Sequence, residues 1–439
     1  MLPTQLIAKD LKHNWHPCSQ MKDYENFPPM IVEKAYGSYI ELANGKKIID
    51  AISSWWCKSL GHNHPRLKKA LLNQVERFEH VIFANTTNDI MASLSERLSA
   101  LTKTLNKVFY AGDGSSIVEA AMKMSLHSRM INGQVNKNKF IALKNSYHGE
   151  TAGALSVSDV GIYKKPYLSM TFDTYFIDNI PYVNNRQDPL WNNCESEWKI
   201  IEKTLEEYAE TTTAIIIEPI VQGAGGMKIY AQDFIKRLRQ WTHKNNVHLI
   251  ADEIMTGFGR TGQMFAYQHA NIEPDFLCLA KGLTGGWMPF SAVLTTNDIY
   301  QTFYDDYDTG KAFLHSHTFS GHALAGSIAL EVLNIFEELD ICQQVKTLET
   351  EMVAAMHRIA DHTGKLSNIR HIGGIVAADL IPDPITPRLG FDVYKKAVEF
   401  GALLRPLGNT IYWLPPLNIE MGTLKELESI TQKAILTVC

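Results

Sequence analysis

Residues 249–286 read LIADEIMTGFGRTGQMFAYQHANIEPDFLCLAKGLTGG and carry two short apolar runs, each closing on one ionisable residue. The first run, residues 247–251, stops at Asp252, and the second, residues 276–280, stops at Lys281. Apolar runs of this length suit the central strands of a parallel sheet. In such sheets ligands bind at the carboxyl ends of the strands, which is where both ionisable groups fall. Taken singly, each has an ordinary reading: an Asp-Glu pair after a strand is often a helix cap, and a lysine before glycine is a solvated turn. Taken together they offer a desolvated amine that forms a Schiff base with a carbonyl, and a carboxylate that suits a protonated ring nitrogen.

An anion site is expected nearby. The run Val108-Phe109-Tyr110 leads through Gly112-Asp113-Gly114-Ser115-Ser116 into a helical stretch over residues 117–130. Strand, Gly/Ser loop and helix gather free amides and hydroxyls at one point. On its own this loop reads more readily as a capped turn; joined to the lysine and the aspartate, it completes what pyridoxal phosphate requires of a protein. Two further strand ends carry chemistry: residues 140–143 end at Asn145-Ser146-Tyr147-His148-Gly149, where Tyr147 suits stacking on a flat ring, and residues 214–217 end at Glu218-Pro219. The loop from Ser316 to Gly321, ahead of a helix over residues 323–337, is a second possible anion site. Arg405 follows an apolar strand, and an arginine there suits a bidentate carboxylate clamp.

Composition bounds the rest. A chain of 439 residues suits one large α/β domain with a smaller one attached. The formal net charge of −5 leaves no basic footprint, so neither nucleic acid nor an anionic membrane is expected as a partner. No basic leader or membrane-length apolar run is visible, and a cytoplasmic location is expected. The six cysteines lack paired spacing, and the His-rich pieces at His62/His64 and His315/His317/His322 lack accompanying carboxylates or thiols, so no metal is expected. The βα alternation predicts an α/β sandwich around a mostly parallel sheet. The expected partition is an N-terminal segment at 1–65 packing with the small domain, a large cofactor domain at 66–338 and a small α+β domain at 339–439. Within it, residues 36–49 are expected to form one hairpin about Asn44-Gly45. The spacings Leu67, Leu71, Phe78, Ile82 and Met91 to Leu105 predict two amphipathic helices, and residues 161–210 an irregular surface excursion.

ADEIMTGFGRTG around Asp252, AKGLTGG around Lys281 and IIEPIVQGAGG after Ala214 resemble the class III pyridoxal-phosphate aminotransferases, of the aspartate-aminotransferase fold (fold type I). The resemblance runs nearly end to end, from Trp15-His16-Pro17 and Ser53-Ser54-Trp55-Trp56 to Arg405-Pro406-Leu407-Gly408. It implies a pyridoxal 5'-phosphate enzyme that moves an amino group to a keto acid, with Lys281 on the aldehyde and as proton shuttle, and Asp252 on the ring nitrogen. Gly114 and Ser115 would hold phosphate, and Tyr147 would stack on the ring. The family is a homodimer with shared sites, so His317 and Thr318 would reach the neighbouring subunit's cofactor. Trp55, Tyr147, Lys281, Ser316 and Arg405 would contact substrate. Three departures bear on the amino donor: Cys18 stands where the family pattern WHPY has tyrosine, Ser316-His317 where Gly-Pro is usual, and His322-Ala323 where Asn-Pro is usual. Other readings are another ω- or diamine transaminase, an aminomutase on the same fold, and a cofactor-binding protein without activity.

Overall fold

The structure is a computed structural model that describes residues 2–384 and 386–439. Its centre is a seven-stranded sheet in the spatial order Leu105–Ala111, Ser291–Thr296, Phe276–Leu279, His248–Asp252, Thr212–Ile217, Lys139–Leu143, Thr174–Ile177. Every neighbouring pair is parallel except the two made by Ser291–Thr296, which runs against both its neighbours. The cause is legible residue by residue. All six residues of Thr212–Ile217 are buried, with Ile215 and Ile217 in one apolar layer and Ala214 and Ile216 in the other. Leu277 and Leu279 likewise face one layer while Phe276 and Cys278 face the opposite one. A strand buried on both faces cannot alternate apolar with polar, so it reads as a continuous apolar run.

Helices cover both faces. The 18-residue helix Gly114–Ile131 leaves the first strand at once, capped by Asp113, whose side chain accepts the Ser116 amide at 2.9 Å. The Asp-Glu pair caps nothing: Glu253 is fully buried and takes the amides of Ala266 (2.8 Å) and Tyr267 (2.7 Å) and the Thr256 hydroxyl (2.8 Å). These bonds pin the loop that joins the Asp252 strand to the Lys281 strand, even as burial pushes the Glu253 carboxyl up to about 7. Arg260 of the same loop is also buried, and donates to the carbonyls of Gly374 (3.2 Å) and Pro415 (2.8 Å). The motif therefore stitches the large sheet to the C-terminal part of the chain.

That C-terminal part is an antiparallel sheet of Leu366–Ile372, Ile375–Leu380 and Thr410–Trp413 under the helices Ile341–Thr363, Leu389–Phe400 and Met421–Val438. The N-terminal strands Val32–Tyr36, Tyr39–Leu42 and Lys47–Asp50 form a second small sheet, to which Ala402–Leu403 adds in parallel. Ile49 and Ala51 share one core with Trp413, Leu427 and Ile435.

Four local expectations are corrected. The hairpin about Asn44-Gly45 is present between Tyr39–Leu42 and Lys47–Asp50, but it starts at Tyr39, because Gly37 at φ +52 turns the chain and leaves Tyr36 on an earlier strand. The first amphipathic helix is Pro65–Val75, leaving Phe78 and Ile82 outside it, and the second is Asp89–Ala100, with Leu105 opening a strand of the main sheet. In both places apolar residues continue the helical spacing by chance past the end of the helix. The stretch 161–210 is no surface excursion: Thr174–Ile177 is the edge strand of the main sheet, and Glu195–Glu206 is a helix that buries Trp198, Ile201 and Leu205.

Candidate active site

The strands ending in Asp252 and Lys281 are neighbours, with Asp252 in register with Cys278, so both ionisable groups emerge at one end of the sheet. They meet in a cavity of about 500 Å³ that also receives Gly114, Ser115, Tyr147, Trp55 and Arg405. Lys281 begins a short 3-10 turn with φ +42, a conformation rare outside glycine that turns its side chain out of the sheet. Its Nζ lies 4.7 Å from the centre of the Trp56 ring. Desolvation holds the amine below lysine's ordinary pKa, opposed in part by the carboxylates of Asp252 and Glu218 and by Cys57. The shift favours the neutral form in which a lysine is nucleophilic.

Asp252 is 4% exposed. One carboxylate oxygen accepts the Ile254 amide at 3.1 Å and the other pairs with His148 Nδ1 at 2.8 Å. His148 is itself buried and fixed through its amide, which donates to Ser158 Oγ at 2.8 Å; its Nε2 has no partner. Glu218 braces the opposite wall, accepting the Tyr147 amide at 2.9 Å and the Gly223 amide at 3.0 Å. Burial pushes the Glu218 carboxyl up to about 7, against the pull of His148. Tyr147 is thus held by its backbone, while its hydroxyl donates to Glu150 at 3.2 Å and burial raises its pKa.

Across the cavity the helix Gly114–Ile131 presents its first turn. The first amides of a helix have no intrahelical partner. Asp113 satisfies that of Ser116, and those of Gly114 and Ser115 belong to residues lining the cavity. The walls of this cradle are close: a Cβ on Gly149 would fall 2.1 Å from Ser115 Oγ, and one on Gly114 would touch Ile254 at 3.0 Å. A helix N-terminus walled by glycines, a desolvated amine and a buried, doubly anchored carboxylate fit a flat phosphorylated pyridine aldehyde.

At the mouth, Arg405 lies 4.3 Å over the Trp55 ring and donates to the Cys18 carbonyl at 3.1 Å. Trp55 is 44% exposed and its neighbour Trp56 only 7%, so the pair divides into rim and core. The Cys18 thiol donates to the Tyr163 hydroxyl at 3.5 Å, and that bond, with burial, raises Tyr163 to about 12. Ser316, His317 and Thr318 do not line the cavity of this chain. His317 Nδ1 is 3.6 Å from where a Cβ on Gly112 would stand, and the Thr318 carbonyl pairs with His80 Nε2 at 2.8 Å, so the loop sits beside the cradle.

Sequence reasoning missed three groups here. His148 adjoins Tyr147 at a strand end, and only its contact with Asp252, 104 residues away, gives it a role. Tyr163 falls in the stretch taken as irregular. Asp50 and His62, which pair at 2.8 Å beneath the Trp55-Trp56 turn, carried no signal of being near each other.

The family model for class III aminotransferases matches residues 19–435. An adenosylmethionine-8-amino-7-oxononanoate aminotransferase of Helicobacter pylori is 41% identical over 96% of this chain and 95% of its own length. One of the same description from Aquifex aeolicus is 36% identical over 95% and 94%. Among solved structures, the adenosylmethionine-8-amino-7-oxononanoate aminotransferase of Methanocaldococcus jannaschii superposes with a TM-score of 0.90 at 32% identity, covering 99% of both chains. A PLP-bound amine transaminase from an uncultivated Pseudomonas species gives 0.89 at 27% identity, covering 97% of this chain and 99% of its own.

Proposed function

The chain belongs to the class III aminotransferases, and from that premise we propose that it aminates 8-amino-7-oxononanoate to 7,8-diaminononanoate, a step of biotin biosynthesis, with S-adenosylmethionine as donor. It is a pyridoxal-phosphate-dependent aminotransferase. The observation that carries the reading is the convergence of Lys281, Asp252 and the Gly114-Ser115 cradle in one cavity whose mouth holds Arg405. Incubating the purified holoenzyme with 8-amino-7-oxononanoate and a panel of amino donors, and assaying 7,8-diaminononanoate, tests it directly. Formation of the diamine from S-adenosylmethionine is the expected result, and its formation from lysine alone would overturn the donor assignment.

Bound in this site, pyridoxal 5'-phosphate supplies an aldehyde for the incoming amine and a pyridinium that accepts the electrons left when the α-proton departs. The residues do the rest. Lys281 Nζ takes the proton from the donor α-carbon and later gives one to the acceptor carbon. Asp252, fixed by His148 and the Ile254 amide, offers its negative charge to the ring nitrogen. The Gly114 and Ser115 amides would hold the phosphate, Tyr147 would cover the ring, and Arg405 clamps the keto-acid carboxylate against Trp55, while Ser316, outside this chain's own cavity, would contact substrate in the neighbouring subunit's site. Tyr163, beside Cys18, gives the donor an aromatic wall.

Two expected outcomes test the mouth. Arg405→Ala weakens the keto-acid half-reaction by about 2–5 kcal/mol, the cost of unpairing a desolvated carboxylate, and leaves the donor half-reaction in place. Stopped-flow measurement of each half separates the two, and equal losses would make Arg405 a structural residue. Cys18→Tyr restores a ring beside Tyr163. Stacking on a base contributes about 1–3 kcal/mol, so kcat/KM for S-adenosylmethionine rises while that for lysine stays put. A donor panel on both proteins reads the difference.

The working unit is a homodimer in which His317 and Thr318 reach the partner's cofactor phosphate. The apolar side chains beside that loop support this: Ile82 is 66%, Leu314 90% and Phe319 54% exposed in the single chain. Sedimentation of the holoenzyme tests it. Among the described residues no helix is long and apolar enough to cross a membrane, and all six cysteines are free, as suits work in the cytoplasm.

A further inference from the structure

We propose that Asp50 and His62 are a positioning pair that aims Trp55 at Arg405 and so sets the enzyme's affinity for the carboxylate of the keto acid. The inference rests on the reading of Arg405 as the carboxylate clamp. The turn Ser53–Trp56 has dihedrals that side chains resist: φ is +53 at Ser53, +59 at Ser54 with ψ −93, and +64 at Trp56. With no glycine in it, this turn persists only if its neighbours over-determine it.

Asp50 does so from beneath. It is fully buried at the end of the strand Lys47–Asp50. Its Oδ1 accepts the Ile52 amide at 3.3 Å, while Oδ2 accepts the Ser54 amide at 2.7 Å, the Ser54 hydroxyl at 3.2 Å and His62 Nε2 at 2.8 Å. His62 cannot drift, because its backbone exchanges two hydrogen bonds with Gly37, at 2.7 and 3.0 Å. The pair therefore acts through the residue immediately before Trp55. Trp56 has its own anchor: its Nε1 donates to the Tyr412 hydroxyl at 2.9 Å and its ring is buried. Trp55, exposed at the rim, is oriented by its backbone and by the face of Arg405. Releasing His62 thus frees Trp55 while Trp56, which lies under the Lys281 amine, stays fixed.

The two half-reactions of the holoenzyme distinguish this role from a merely structural one. His62→Leu is expected to raise the apparent Kd for 8-amino-7-oxononanoate about ten- to hundredfold, as loss of alignment at a clamp does. The donor half-reaction, measured with whichever of S-adenosylmethionine and lysine the wild type uses, keeps its rate. His62→Gln, whose amide again donates to Asp50, recovers most of the lost affinity. Asp50→Asn, equal in volume, shows the same split and serves if His62→Leu fails to hold cofactor. Equal losses in both half-reactions, or a glutamine no better than leucine, overturn the proposal. Arg405→Ala run in parallel separates the two layers. If it leaves keto-acid affinity untouched, the clamp reading fails and this inference with it. If it weakens that affinity while His62→Leu does not, only the role of the pair is lost.

Discussion

Lys281→Ala is expected to abolish transamination, lowering kcat by at least about ten-thousandfold, because one amine serves as both carbonyl partner and proton carrier. Among the described residues Lys281 is the only lysine lining the cavity. The next amine in the chain near it, Lys58, is committed to the Gly286 carbonyl at 2.7 Å. The cradle at Gly114 and Ser115 lies on a different element, so the variant still retains cofactor. Borohydride treatment of the wild type, followed by peptide mapping, places the fixed cofactor on the peptide bearing Lys281. A label on any other lysine would remove Lys281 from its role.

Asp252→Asn is the second large effect. Asparagine keeps the shape and the Ile254 amide contact but brings no negative charge, so a pyridinium nitrogen placed there loses its counter-ion. Leaving a buried cation unpaired costs about 3–5 kcal/mol, which slows proton removal by roughly two to four powers of ten. The substitution also strips His148 Nδ1 of its charged partner, and among the described residues its Nε2 has no hydrogen-bond partner either. Single-turnover rates with the native donor measure it. A variant with near-normal rates and full cofactor content would show that Asp252 does not face the ring.

The fold was legible where burial acts on single residues. The runs ending at Asp252 and Lys281 are continuous because both faces of those strands are covered, and that signature survives in the sequence. It failed where an element is amphipathic but short or set among polar neighbours. Thr174–Ile177 is four residues at the edge of the sheet, with three of them only half-buried, which leaves no periodicity to detect. The helical spacing that continued through Phe78 and Leu105 shows the opposite error. In the site, groups at strand ends announced themselves, since a charge after an apolar run is conspicuous. Groups acting through a partner did not. His148 needs Asp252, and Asp50 needs Ser54 and His62, before either has a function. Tyr163 needs Cys18.

The parallel pairing of Lys47–Asp50 with Ala402–Leu403 has a consequence for biogenesis. The N-terminal sheet is translated first, yet the strand that seals its edge emerges some 350 residues later. At ribosomal speeds of about 5–20 residues per second, that edge waits roughly 20–70 s with its backbone groups unpaired. Over most of that interval Ile49 and Ala51 lack the helices that bury them. The large sheet can condense while the hairpins idle, so a nascent chain arrested before residue 402 is a species with a formed cofactor cradle and an open, sticky strand. Closing that edge also brings Arg405 to the Cys18 carbonyl, which completes the mouth of the site.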